Sequence, residues 1–292
     1  MAPDEELNDA LKGGPAERAG GKAFYRFTPG VPDAVKPLAG WLAARLPFLF
    51  RAYELRAAWR FPAPPALGPD GLPMPGRLRM MRVTGHGEWR SFFDAGQRIA
   101  QAFEAILAEQ GHSLATLPRV LDLGCGCGRL ARHWAGRERM VLFGCDIDAA
   151  AVRWCQQNLP GDYAVNRVQP PAPYAEHSFD LVVAFSVFTH LKEATQRAWL
   201  DELARLLAPG GLALITFHDE FQISLGAVDN ERALRDGFSV RREGMEGSNL
   251  PSVQQSHDYM RAMAGERFDV LATYRSCDMP FAQAVAVLQR RA

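Results

Sequence analysis

The sequence predicts an α/β protein: a doubly wound, seven-stranded sheet, mostly parallel, that ends in a C-terminal antiparallel hairpin and carries an N-terminal helical and proline-rich cap. Three observations predict it. From residue 119 onward, short apolar runs alternate with amphipathic stretches, the pattern of strands joined by crossover helices. The last two runs, RFDVLATYRS (267–276) and QAVAVLQR (283–290), are too close together for a parallel crossover and therefore pair antiparallel. Twelve of the 20 prolines fall in the first 90 residues, which separates that stretch from the sheet-forming remainder.

The elements follow in order. Residues 1–22 read as a flexible tail, and 23–90 as a cap segment with helical spacing over 33–60 and a proline-glycine linker over 61–76. Residues 91–292 form the main domain, opening with an amphipathic helix over 91–111. Strands are expected at 119–123, 139–146, 163–168, 179–188 and 212–217, with helices over RLARHWAG, 148–159 and 196–211. An insertion spans 218–252, and a helix is expected near 253–265.

Thirty-three Lys and Arg balance 33 Asp and Glu, so the formal net charge is zero, and no basic stripe stands out. A general nucleic-acid binder draws most of its affinity from phosphate neutralisation, so the expectation is no nucleic acid. The acidic N-terminus shows no apolar signal segment, and the apolar stretch 38–50 is interrupted by Arg45 and Pro47. No membrane association and a cytoplasmic location are therefore expected. Five cysteines at 125, 127, 145, 155 and 277 do not form a disulfide framework.

The chemistry concentrates in VLDLGCGCGRL (120–130). Glycines after a strand let the backbone approach a ligand, and the following helix offers free N–H groups. Cys125-x-Cys127, even with Cys145 and His133 nearby, falls short of a metal set with a second cysteine or histidine pair, so no metal is expected. Gly126-x-Gly128-x-x-Ala131 also matches a dinucleotide fingerprint, which leaves a nicotinamide-dependent oxidoreductase as a weaker alternative.

That loop, CDID about 20 residues later, SFDLVVAFSVFTHL and LLAPGGLALITF together resemble the successive motifs of class I S-adenosylmethionine-dependent methyltransferases, over roughly residues 80–290. The resemblance implies a Rossmann-like fold, S-adenosyl-L-methionine as cofactor, and a small-molecule methyl acceptor. It assigns the methionine moiety to Asp122, and the loop beneath the amino acid and ribose to Gly124, Cys125, Gly126, Gly128 and Arg129. It places the ribose hydroxyls on Asp146, adenine on Ile147 and on Asn166, Arg167 and Val168, and the sulfonium beside Phe185 and Ser186. An acidic residue is common near the third-strand end in that family, and Asn166 and Arg167 stand there instead.

His190 and His218, just past the fourth and fifth strands, are the candidate proton acceptors, since imidazole can deprotonate an acceptor near neutral pH. No Asn/Asp-Pro-Pro-aromatic motif follows the fourth strand, where amino-methylases of nucleic acids carry one. The aromatic N-terminal segment reads as a lid over the acceptor, as packing, or as a homodimer contact. A non-catalytic, S-adenosylmethionine-binding interaction protein on the same fold is the remaining alternative.

Overall fold

The computed structural model describes residues 56–221, 235–241 and 252–291. The tail, most of the predicted cap helix and much of the 218–252 insertion lie outside the described residues. The order is helix α1 (Arg77–Thr84), α2 (Trp89–Glu109), β1 (Arg119–Leu123), α3 (Ala131–Trp134), β2 (Val141–Asp146), α4 (Ala149–Asn158), β3 (Asp162–Val165), β4 (Phe179–Ala184), α5 (Glu193–Leu206), β5 (Leu207–Phe217), β6 (Phe238–Arg241), β7 (Ser252–Gln255), α6 (His257–Gly265), β8 (Phe268–Tyr274) and β9 (Ala284–Arg290).

Seven strands form one sheet in the order β3-β2-β1-β4-β5-β9-β8. Its first five strands are parallel, and β9 runs antiparallel to both β5 and β8. The expected hairpin is present. Chain order reverses between β1 and β4, and the loops leaving their carboxyl ends open the crevice where open α/β sheets bind ligands.

Side-chain alternation along the strands feeds two cores. Val120, Leu142, Val183 and Leu214 point toward α2, α3 and α4 and meet Phe103, Trp134 and Val152. Leu121, Val182, Ile215 and Leu288 point the other way and meet Trp199, Leu203, Met260 and Phe268 of α5, α6 and β8. A one-residue slip of β1 would exchange these sets, so burial on both faces fixes the register. The helices start where local chemistry starts them: Glu88 and Asp148 cap α2 and α4 by accepting from Ser91 N–H at 2.6 Å and Ala150 N–H at 2.9 Å.

Several boundaries differ from the sequence reading. The helix after the glycine loop keeps only Ala131–Trp134, because Gly136 takes a left-handed φ of 75° and turns the chain toward β2. Leu207 to Gly211 extends β5 backward instead of ending α5, with an irregularity that lets Leu207 pair Phe179 while Leu212 pairs Leu181. The expected helix near 253 starts only at His257; Ser252–Gln255 is a strand paired with β6, ended by Ser256, which caps α6. The 61–76 stretch has no helix or strand, yet it is tied down. Asp70 holds the fully buried Arg132 guanidinium at 2.8 Å, and Leu72 and Pro73 carbonyls accept from the same group at 3.3 Å.

Candidate functional site

The glycine loop leaves β1 and crosses to the end of β2. Gly124 and Cys125 N–H groups both donate to the Cys145 carbonyl, at 2.8 and 3.0 Å. Gly124, Gly126 and Gly128 have φ of 77°, 53° and 78°, values that disfavour any side chain. Space is equally restrictive: a Cβ on Gly126 would stand 2.7 Å from Val83 of α1, and one on Gly128 2.2 Å from Leu159. The loop's N–H groups thereby reach Asp146, whose carboxylate accepts from Gly126 at 2.8 Å and from Asp148 at 2.8 Å.

Asp122 lies beneath this loop, 2% exposed, and its Oδ2 has no hydrogen-bond partner. Burial pushes its carboxyl up to about 7, against the opposing pull of Arg129, with Asp146 pushing further upward. Burial also raises the Asp146 carboxyl, while the N–H groups of Asp148 and Gly126 hold it down. The Arg129 guanidinium stacks 4.8 Å over the Phe185 ring, and burial lowers it to about 10. An orphaned carboxylate oxygen, a partly buried cation and a cradle that excludes Cβ atoms fit a zwitterionic amino-acid moiety such as that of S-adenosylmethionine.

The remaining sequence-predicted residues spread around the same edge. Ile147 is 43% exposed beside Asp146. Asn166 donates its N–H to the Asp146 carbonyl at 3.1 Å, and its side-chain Oδ1 is buried without a partner. Arg167 is exposed, whereas Val168 turns into the core below, its carbonyl accepting from Trp199 Nε1 at 2.8 Å. Cys125 and Cys127 are buried under the loop, with the Cys125 and Cys155 thiols against the Gly126 carbonyl at 3.7 and 3.5 Å.

On the opposite side, Ser186 follows β4 with φ 60°, a costly conformation for a serine. Its N–H donates to Thr216 Oγ1 at 2.7 Å, and its Oγ accepts from Gln283 Nε2 at 3.0 Å. His190 and His218 come together here, close enough that charge on His190 disfavours charge on His218. Burial, with that neighbour, lowers His218 to about 4. Its Nδ1 faces the Val253 carbonyl at 3.2 Å, so Nδ1 carries the proton and Nε2 the lone pair.

Sequence reasoning missed α1 as part of this edge. Val83 touches the glycine loop, Arg82 pairs Asp148 at 3.2 Å, and Arg129 acts on His86 electrostatically. It also missed Gln283, whereas Asp219, Glu220 and His257, which the sequence offers as weaker candidates near His218, come together as a group. In that group His257 Nε2 meets Asp219 at 3.3 Å, and Ser276 N–H donates to Asp219 at 2.8 Å. No local motif marks these residues, because their partners lie tens of residues away.

Comparison with known proteins agrees with the geometry. Residues 120–211 match a family described as a methyltransferase domain. Among curated proteins, the chain is 24% identical over 165 residues to the tRNA N(3)-methylcytidine methyltransferase Mettl2 of Drosophila melanogaster, covering 52% of this chain and 51% of that one. It is 35% identical over 103 residues to a tRNA (carboxymethyluridine(34)-5-O)-methyltransferase of Arabidopsis thaliana, covering 33% and 23%. The chain spans about half or less of the length of the curated relatives it matches. A crystal structure of a candidate sarcosine dimethylglycine methyltransferase from Galdieria sulphuraria shares the fold at 16% identity and a TM-score of 0.50, covering 68% of this chain and 86% of that one.

The expectation of no nucleic acid is corrected by these relatives, two of which are tRNA methyltransferases. Net charge is a weak guide to such binding because it averages over the molecule, whereas binding reads the local distribution of charge. No helix among the described residues is long and apolar enough to cross a membrane. Residues 120–211, from the first strand into the fifth, thus match a methyltransferase domain, and the matched segment holds Asp122, the glycine loop and Asp146.

Proposed function

We propose that the protein transfers a methyl group from S-adenosylmethionine to an O, N or S atom of an acceptor seated at the carboxyl edge of the sheet. The observation that carries this reading is the buried Asp122 carboxylate, one oxygen of which has no partner, beneath three left-handed glycines, with Asp146 beside them. The cofactor supplies a methyl group already activated on a sulfonium. The chain's part is to bind, orient and exclude water. Asp122 and Arg129 hold the ammonium and carboxylate of the methionine end, and Asp146 exchanges its loop N–H bonds for the ribose hydroxyls. Phe185 and Ser186 wall the reacting centre. His218, uncharged at neutral pH with Nε2 free to accept, takes the acceptor's proton where one must leave, with His190 beside it.

A small-molecule acceptor is supported by the aromatic pair Phe185 and Phe281 at this edge, whose rings stand 5.1 Å apart. A second reading, an acceptor atom carried on tRNA, is favoured by the relatives' activities. Incubation with methyl-labelled cofactor and either total tRNA or a metabolite extract separates them by whether label becomes acid-precipitable. Transfer to neither, at protein concentrations that saturate with cofactor, contradicts the enzymatic reading and favours the interaction-protein alternative.

A further inference from the structure

The described residues 56–98 hold seven arginines against three carboxylates, although the chain as a whole is neutral. The three carboxylates face mostly elsewhere: Asp70 is bound to Arg132, and Glu88 caps α2. Among the described residues, Arg56, Arg60, Arg77, Arg79 and Arg90 have no carboxylate partner, and the Nε atoms of Arg77 and Arg79 are buried without any hydrogen bond. Paired arginines are more frequent elsewhere, where Arg119, Arg132, Arg137, Arg197, Arg205 and Arg267 each sit against a carboxylate, whereas in 56–98 Arg82 pairs Asp148. Buried donors without acceptors call for a ligand that supplies them.

Arg77 belongs to an aromatic cluster. Trp59 is 72% exposed, and the Arg77 guanidinium lies over its ring at 4.8 Å. Phe61 stands 6.3 Å from His86, and a Cβ on Gly87 would meet Phe61 at 3.0 Å and Arg77 at 3.3 Å, so these side chains form one cluster. Helix α1 runs from this cluster to the glycine loop, since Arg77 opens it and Val83, near its end, touches Gly126. At 1.5 Å per residue the cluster lies about 10 Å from the loop, the scale of a nucleotide.

Resting on the reading of the loop as a cofactor cradle, we propose that Arg77 and Trp59 bind a phosphate-bearing acceptor, the Arg77 guanidinium taking the phosphate and the indole stacking on a base, with Arg79 on the same helix adding positive charge. Guanidinium matches phosphate in a fork geometry that ammonium cannot reproduce, and stacking tolerates any base. The phosphate can come from a polynucleotide or from a nucleoside diphosphate conjugate. α1 buries Met80 and Met81 and presents no exposed apolar stripe, which argues against a membrane surface as the source.

The test titrates the protein, saturated with S-adenosylhomocysteine, with total tRNA and separately with UDP-glucose. Binding of either is expected, weakened about tenfold or more in Arg77→Gln/Arg79→Gln, with a salt dependence shallower by about one for each phosphate that is no longer neutralised. Arg60→Gln/Arg90→Gln, at exposed positions, should weaken it less, and Arg197→Gln should leave it unchanged. Binding of tRNA alone or of UDP-glucose alone identifies the source. Binding of neither, or equal binding by wild type and the Arg77→Gln/Arg79→Gln variant, overturns the proposal. S-adenosylhomocysteine binding, read in the same samples, reports separately on the cradle.

Discussion

The carboxyl edge of the sheet has two halves built at different ranges along the chain. In the β1–β2 half, the key contact joins Gly126 to Asp146, 20 residues apart, within one strand-loop-helix-strand unit over which α1 packs. In the β4–β5 half, Gln283 reaches Ser186 across 97 residues, and His218 is oriented by Val253, 35 residues on. The first half is a rigid cradle that backbone geometry enforces. The second is assembled from β4, β5, β7 and the start of β9, so its side chains can vary without disturbing the sheet. Damage to the cradle should therefore abolish binding, whereas damage across the switch point should slow turnover with the cofactor still bound.

Gly126→Val breaks the cradle most severely. It forces a branched residue into φ 53° and drives its Cβ against Val83 at 2.7 Å. Loss of S-adenosylhomocysteine binding by at least about a hundredfold, or failure to fold, is expected; calorimetry and thermal unfolding read the two outcomes.

Asp122 provides a pH signature of the same half. Its carboxyl is raised from 3.8 to about 7 in the folded chain, so the native state holds its proton more tightly than the unfolded chain does. The associated stability is complete at pH below about 4 and lost as pH rises through about 7, roughly 4 kcal/mol over that window. Asp122→Asn should flatten urea-unfolding profiles between these limits. If the carboxylate faces the cofactor ammonium, affinity for the cofactor should rise with pH up to 7 in wild type and not in the variant.

Gln283→Leu probes the other half. It removes the donor that holds Ser186 in its left-handed conformation. Cofactor affinity should stay within about twofold, with the methyl-transfer rate down about tenfold, measured on the acceptor that takes label. A parallel loss of cofactor affinity would erase the distinction between the halves. The smallest effects belong to the cysteines. Cys125→Ser and Cys127→Ala should each cost about 1 kcal/mol in stability and retain binding, because these side chains fill space under the loop. Loss of binding with zinc dependence would return the pair to metal chemistry.

This division also explains what the sequence made legible. Strand β1 is read to the residue, and Asp122, the glycines and Asp146 lie where their motif spacing puts them, because a strand followed by a tight glycine turn is a local structure. His190 and His218 are also found at the expected edge. The clamp on Ser186, the closure of α1 over Gly126 and the Asp70–Arg132 pair depend on tertiary contacts between segments with no shared pattern. The proline-glycine stretch 61–76 reads as a linker because nothing local announces that a guanidinium 60 residues downstream will hold it.

Calorimetric titration of wild type and Asp146→Ala with S-adenosylmethionine and S-adenosylhomocysteine tests the cradle most directly. Micromolar-range binding by wild type, weakened at least about tenfold in the variant, is the predicted result. Wild type that binds neither ligand, or a variant that binds as tightly as wild type, would contradict it.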